Sequence, residues 1–224
     1  MTMKAHPITS PAFCDPSDSA PTIYSPSTGS PTAADLKPNT NCVTTDTGLT
    51  ANDSTRGLLG ETGLTGRLQD LNSAHNCSGR TRSISTGPSR TVTINDDILT
   101  CYLDAGKTVG DVTQDTYSGA KVISSAIYDS PRFFFQPVLG QKPDTGHSYY
   151  KVIDMRPAFL ADQPMSATKD NPQVASDNGV VMDNNQVTQL NVIFLNAAAI
   201  KDPTTGPLTD YLGGTAPKIF RMTH

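Results

Sequence analysis

The sequence predicts an α+β fold in which a mainly antiparallel β-sheet carries one or two short helices and long loops rich in Pro, Ser and Thr. After residue 89, short aromatic and β-branched runs alternate with Pro, Gly and Asp, as strands alternate with turns. Of the 21 acidic residues, 20 are Asp and one is Glu61, and Asp favours turns and caps over helix interiors. A hydrophobic content of 36% also suits a loop-rich domain better than a helical bundle.

The centre of the predicted sheet lies between residues 127 and 164, which hold four of the seven Phe and three of the seven Tyr. In a strand, Phe133 and Phe135 would point to one face and Phe134 to the other. Such a strand is either covered on both faces or supplies an interface. The interface candidates in this stretch are Phe133, Phe134, Phe135, Tyr149 and Tyr150. Residues 141–147 have the turn chemistry to join the two aromatic runs as a hairpin.

The remaining elements follow from periodicity and turn signals. Leu64, Leu68 and Leu71 recur at helical spacing and predict a helix over 61–73, whereas 78–88 is interpreted as a polar loop. Asp96 or Asp97 is expected to cap a short helix that ends at Tyr102. The predicted strands cover residues 90–95, 122–128, 179–182, 187–195 and 218–222. Residues 183–185 form the expected turn, 165–178 a polar loop, and the strand over 187–195 is expected to be buried on both faces.

Domain organisation is expected to be an extended segment over residues 1–50 followed by a single α+β domain over 51–224. The first 50 residues contain 7 Pro and 16 Ser or Thr, too few apolar side chains to fold alone. The four cysteines (Cys14, Cys42, Cys77 and Cys101) allow three pairings, of which we favour the local ones, Cys14–Cys42 and Cys77–Cys101. Buried free thiols and a zinc site are the alternatives.

Charge and motif content exclude several classes of function. A net charge of −4 provides no attraction to nucleic acid or to anionic membranes. We expect no membrane span, because no run of about 18 apolar residues occurs, and the first residues lack the apolar core of a signal peptide. Ser166, Lys169 and Ser176-Asp177-Asn178 imitate a serine β-lactamase pattern, but the spacing is wrong. We therefore predict no catalytic set, no metal site and no cofactor.

Several short motifs resemble one known family. They include Ser130-Pro131-Arg132-Phe133-Phe134-Phe135, Arg156-Pro157-Ala158-Phe159, Asn178-Gly179-Val180-Val181-Met182-Asp183 and, upstream, Asp97 to Tyr102. With the Tyr211-Leu212-Gly213 and Pro217 to Arg221 ending, they resemble actinobacterial TadE/TadG-like proteins of the tight-adherence (Flp pilus) system over roughly residues 55–222. The resemblance implies a non-catalytic, extracellular or cell-surface assembly protein that binds protein partners, whose membrane anchor or export signal is absent from this chain.

The alternative function is a secreted enzyme or a glycan-binding domain whose site is dispersed over loops. A polar pocket that gathers His147, Asp154 and Arg156 would favour this alternative.

Overall fold

The computed structural model describes residues 3–4, 42–45, 51–139 and 148–202, with side chains over 51–136 and 156–202. The α+β fold expected from the sequence is confirmed: strands in antiparallel sheets predominate, with two short α-helices. The strands are β1 (Met3–Lys4), β2 (Cys42–Thr45), β3 (Thr81–Gly87), β4 (Arg90–Asn95), β5 (Phe133–Leu139), β6 (Ser148–Leu160), β7 (Val180–Asp183), β8 (Gln186–Leu190) and β9 (Val192–Phe194). The helices are α1 (Ala51–Leu59) and α2 (Val109–Thr113). Among the described residues, no helix is long and apolar enough to cross a membrane.

The chain divides into two compact units. The first comprises Met1–Thr50 and Pro137–Met155, and the second Ala51–Gln136 and Arg156–His224. In the first unit β2 pairs with β1 and, from Cys42↔Lys151 to Thr45↔Ser148, with β6. The favoured Cys14–Cys42 bond and the strand expected over 218–222 lie outside what the structure describes.

In the second unit, strand pairing produces two hairpins in addition to the long strands. β3 pairs with β4, and β7 pairs with β8. Asn184 and Asn185 connect β7 to β8 with φ values of 48° and 63°, as a two-residue type I′ turn requires, so the turn expected there is confirmed. β5 neighbours β6, and the end of β6 pairs with β9 from Ala158↔Phe194 to Leu160↔Val192.

Two apolar clusters form the interior of this unit. The first gathers 16 buried residues, among them Leu99, Tyr102, Phe133 and Phe159. The second contains Leu59, Leu68, Ile84, Val92, Ile94, Leu160, Val180 and Val187.

The helix expected over 61–73 is wrong, because α1 ends before that range begins. Gly60 closes α1 with φ +71°, and its N–H bonds to the Arg56 carbonyl at 2.9 Å, a left-handed C-terminal cap. The chain then doubles back, so that a Cβ on Gly66 would lie 2.2 Å from the Gly60 nitrogen. A 3₁₀ turn over Arg67–Gln69 buries Leu68, whereas Leu64 and Leu71 are exposed.

Three other expectations are corrected. Residues 81–87 form β3 instead of a polar loop, because pairing with β4 stabilises a strand in which only Ile84 is buried. Ser124 caps a 3₁₀ helix over Ser125–Asp129 and thereby ends the strand expected over 122–128. The expected strand over 187–195 is divided into β8 and β9, and Phe194 at its end is exposed.

Candidate functional site

The interface candidates of β5 alternate between the two apolar clusters, as the sequence predicts. Phe133 is buried in the first cluster, where its ring meets those of Tyr128 and Phe135 edge to face at 5.2 and 5.3 Å. Phe134 is half-buried and packs against the second cluster. Tyr149 and Tyr150 lie opposite Thr44 and Val43 in the β2–β6 ladder, and their side chains are outside the described set.

Next to these rings lies a buried arginine that sequence reasoning did not single out. Arg132 is fully buried. Its guanidinium donates to the Asn95 carbonyl from Nε and Nη2 at 2.9 and 2.7 Å. Nη1 donates to the carbonyls of Leu160 and Asn178 at 2.9 and 2.7 Å, and Nη2 also reaches Asp96 Oδ1 at 3.2 Å. One side chain therefore ties β4, β6 and the turn before β7 together.

Burial alters the acid–base properties of this arginine. Removal from water lowers the pKa of Arg132 to about 10, and the neighbouring Asp96 opposes that decrease. The guanidinium still carries its charge at neutral pH, and Asp96 neutralises it at the ion-pair distance of 3.2 Å. Because its donors are directed at backbone carbonyls and one carboxylate, Arg132 links the segments that carry these groups.

Asp97, next in the chain, anchors the turn that carries Cys77. The expectation that Asp96 or Asp97 caps a helix is wrong, because Ile98 occupies the cap of the 3₁₀ turn over Leu99–Tyr102. The Asp97 carboxylate instead accepts from the N–H groups of Cys77 and Ser78 at 3.2 and 3.0 Å, and from the Tyr102 hydroxyl at 2.5 Å. Burial and the hydrogen bond to Asp97 raise the pKa of Tyr102.

The same turn carries the disulfide. Cys77 is bonded to Cys101, and their Cα atoms are 6.1 Å apart, within the range of native disulfides. This part of the cysteine prediction is confirmed. The turn at Cys77 is thus held both by a covalent bond and by the carboxylate of Asp97.

The Asn178-Gly179 turn closes the arginine network from the side of β7. The Asn178 amide donates to Asp96 Oδ1 at 2.9 Å and to the Asp97 carbonyl at 3.0 Å. Gly179 has φ +88°, and a Cβ there would lie 2.7 Å from the Ala161 nitrogen. Two sequence signals were available for the network: the adjacent Asp96 and Asp97 after a strand, and the Asn-Gly pair.

Of the three polar residues that would favour a loop-based site, the structure describes the side chain of Arg156. Arg156 pairs with Asp115 on the surface, while the side chains of His147 and Asp154 are outside the described set. Among the described residues, no group of three or more His, Cys, Asp or Glu is placed to hold a metal ion. The polar cluster at Arg132 instead joins backbone carbonyls and one carboxylate of the second unit.

Comparison with known proteins adds no relative to this description. No protein-family model, no curated protein and no solved structure matches the chain.

Proposed function

We propose that this chain is an exported, non-catalytic structural domain that works at the cell surface through protein–protein contacts. The observation that carries the proposal is the Cys77–Cys101 disulfide, since such bonds persist in oxidising compartments. The bond fastens a turn that buried Asp97 already holds. A turn secured twice is expected in a domain that must keep its shape outside the cell.

The buried ionisable groups support a structural role. Arg132 is directed at backbone carbonyls and Asp96, and the Tyr102 hydroxyl is bonded to Asp97. Arg67, whose pKa is lowered by burial, donates to the carbonyls of Pro131 and Phe133. These groups stabilise strands and turns, as we expect of buried ionisable groups in a structural assembly protein.

The finer assignment, a TadE/TadG-like component of Flp pilus assembly, rests on the sequence resemblance. Its partners would be pilus or cell-envelope proteins, and self-association is part of the same proposal. The contact surface would involve the aromatic strands, for which Phe134, Tyr149 and Tyr150 remain candidates.

Cell fractionation combined with thiol mapping tests this function. The full gene product would be expressed in an actinobacterium that produces Flp pili and separated into cytoplasmic, envelope and sheared-surface fractions. We expect the protein in the envelope or sheared fraction, with Cys77 joined to Cys101 and with cross-links to pilus proteins. A cytoplasmic protein with free Cys77 and Cys101 thiols would contradict export. A surface protein without cross-links to pilus proteins would contradict the pilus assignment alone.

A further inference from the structure

Some strand edges in the second unit are covered by a side chain or a helix, and others are left open. The outer edge of β4 is covered at Asn95 by the Arg132 guanidinium. The residues at the start of β5 are covered by Arg67, which donates to the carbonyls of Pro131 and Phe133. The outer edge of β8 is covered by α1, where Thr55 Oγ1 accepts from the Val187 N–H at 2.8 Å. Covering of this kind prevents strands from pairing with other chains.

The outer edges of β3 and β7 are not covered in this way and line the same cleft. This open cleft has a volume of about 480 Å³, and its walls include four consecutive residues of β3 and the whole of β7 (Arg82–Ser85 and Val180–Asp183). Because successive side chains point to opposite faces of a strand, a wall of consecutive residues is formed by strand edges. No ladder joins β3 to β7.

The phase of the β3–β4 ladder decides which backbone groups of β3 face the cleft. The Asp96 N–H bonds to the Arg80 carbonyl at 3.0 Å just before the strands begin, and hydrogen-bonded pairs recur at every second residue of an antiparallel ladder. Ser83 lies opposite Thr93 in this register and falls in a non-hydrogen-bonded pair. The N–H and C=O of Ser83, and likewise those of Ser85, therefore point away from β4.

The turn between β7 and β8 fixes which backbone groups of β7 face the cleft. Asp183 and Gln186 close the two-residue turn and form a hydrogen-bonded pair, so Met182 turns its backbone groups away from β8. Val187, opposite Met182, confirms the phase because its N–H leaves the ladder for Thr55. No hydrogen bond from another described residue reaches the main-chain N–H or C=O of Ser83, Ser85 or Met182.

Two side-chain bridges show that the facing strands run in the same direction. Arg82 near the start of β3 donates to the Ser176 carbonyl at 2.7 Å, and Ser85 near its end donates to Asn185 Oδ1 at 3.3 Å. Residue 176 precedes β7 and residue 185 follows it, so β3 and β7 are parallel across the cleft. One added strand could pair antiparallel with both and complete the sheet β4-β3-added strand-β7-β8.

Side chains lining the cleft indicate which segment would fit. Ile84 and Val180 are buried in the second cluster beneath it, so the added strand should turn apolar side chains inward. Asp177 and Asp183 lie on the lining toward its two ends. Asp183 forms no ion pair within 4.0 Å with another described residue. Asp177 attracts the Arg82 guanidinium of the same lining, also without an ion pair within 4.0 Å, so the lining is acidic on balance. Basic side chains at both ends of the strand would complement the two carboxylates.

We propose that the cleft between β3 and β7 binds an extended segment of a partner polypeptide, about five residues long, with Lys or Arg at both ends and apolar residues facing inward. Recognition is by β-strand addition, in which main-chain hydrogen bonds provide affinity and the inward side chains provide specificity. The cleft is separate from the aromatic strands of the proposed function. Failure of either proposal would therefore leave the other intact.

The test is a titration of the full-length, ¹⁵N-labelled protein with the capped peptide Lys-Val-Thr-Val-Lys, followed by NMR. Its lysines and threonine share one face and its valines the other. We expect saturable shifts of the Ser83, Ser85 and Met182 amides and slower hydrogen exchange at these three groups. The same peptide with an N-methylated central residue lacks one main-chain donor and should bind about tenfold more weakly. Glu-Val-Thr-Val-Glu should bind more weakly than the lysine peptide.

A pair of proline variants locates the binding edge. Ser83→Pro removes an outward N–H from β3, whereas Thr93→Pro removes the N–H of the residue opposite it in β4. Ser83→Pro should reduce peptide affinity about tenfold, and Thr93→Pro should retain it. Absence of saturable shifts, shifts at other strands, or equal binding of the N-methylated peptide would overturn the proposal. Dilution-dependent shifts of the same amides without peptide would assign the cleft to a second copy of the chain and overturn the choice of partner.

Discussion

At the scale of single residues, Arg132 is the buried charge that depends most on hydrogen bonds with its surroundings. A buried charge is tolerated only when it is paired and its donors are bonded. The carbonyls of Asn95, Leu160 and Asn178 meet that demand together with Asp96. These partners come from three segments, so the arginine makes each segment depend on the positions of the others.

Replacing Arg132 by lysine tests this dependence. Lysine keeps the charge but lacks the planar fork, so several buried carbonyls would lose their donor. We expect Arg132→Lys to lower the free energy of unfolding by about 3–5 kcal/mol, measured by urea denaturation. The matched control is Arg156→Lys, which changes an exposed pair with Asp115 and should cost at most about 1 kcal/mol. Equal midpoints for the two variants would contradict a stabilising role for the buried network.

At the scale of secondary structure, α2 depends on its capping box. Thr108 Oγ1 accepts from the Asp111 N–H at 3.1 Å, and Asp111 Oδ2 accepts from the Thr108 N–H at 2.8 Å. The backbone hydrogen bond from Thr108 keeps the pKa of Asp111 below its ordinary value. A lowered pKa in the folded state means that the ionised carboxylate stabilises the fold.

The lowered pKa of Asp111 makes the stability of the fold depend on pH. The stabilisation by Asp111 is fully present above the unfolded-state pKa of about 3.9 and disappears as the pH falls through the lower folded-state value. We expect Asp111→Asn to be less stable than the wild type at pH 7. That difference in urea midpoint should shrink below about pH 4. A difference that stays constant from pH 7 to pH 3 would show that the carboxylate charge contributes nothing.

β5 provides a second test at this scale, because its three rings differ in burial. Phe133 is 2% exposed, whereas Phe134 is half-buried. Phe133→Ala should cost about 3–5 kcal/mol of stability, and Phe134→Ala should cost less while weakening partner binding more. Denaturation midpoints and cross-linking yields measure the two effects separately. If Phe134→Ala unfolds the domain as readily as Phe133→Ala, the interface role proposed for Phe134 is wrong.

At the scale of the whole molecule, the Cys77–Cys101 bond lowers the conformational entropy of the unfolded chain. The two residues are 24 positions apart, which corresponds to about 3.5 kcal/mol in the loop-entropy model. We expect the Cys77→Ala/Cys101→Ala double variant to lose about that much stability. Urea denaturation measures the loss, and mass spectrometry of non-reduced peptides verifies the bond in the wild type. An unchanged midpoint together with free thiols in exported protein would contradict the disulfide.

Features whose cause lies within a few residues could be predicted from the sequence. Alternation along β5 assigned Phe133 and Phe134 to opposite faces, and the polar turn residues before Gln186 indicated a hairpin. The cysteines allowed three pairings, and the local bond between Cys77 and Cys101 was favoured without excluding the others. Each of these depends on strand periodicity, turn chemistry or loop length, which can be evaluated locally.

Features that depend on partners far away in the chain could be identified only in the folded protein. The three carbonyls bonded to Arg132 lie 37, 28 and 46 positions away in the chain, so its role has no local signal. The sequence of β3 is typical of a loop, because Ile84 is its single buried apolar side chain, and pairing with β4 is what makes it a strand. The cleft is even harder to predict from the sequence, because it requires the free edges of two separate hairpins to face each other. Interactions between residues close in sequence determine turns and the faces of strands. The role of a buried charge or an open strand edge depends on which distant segments pack together.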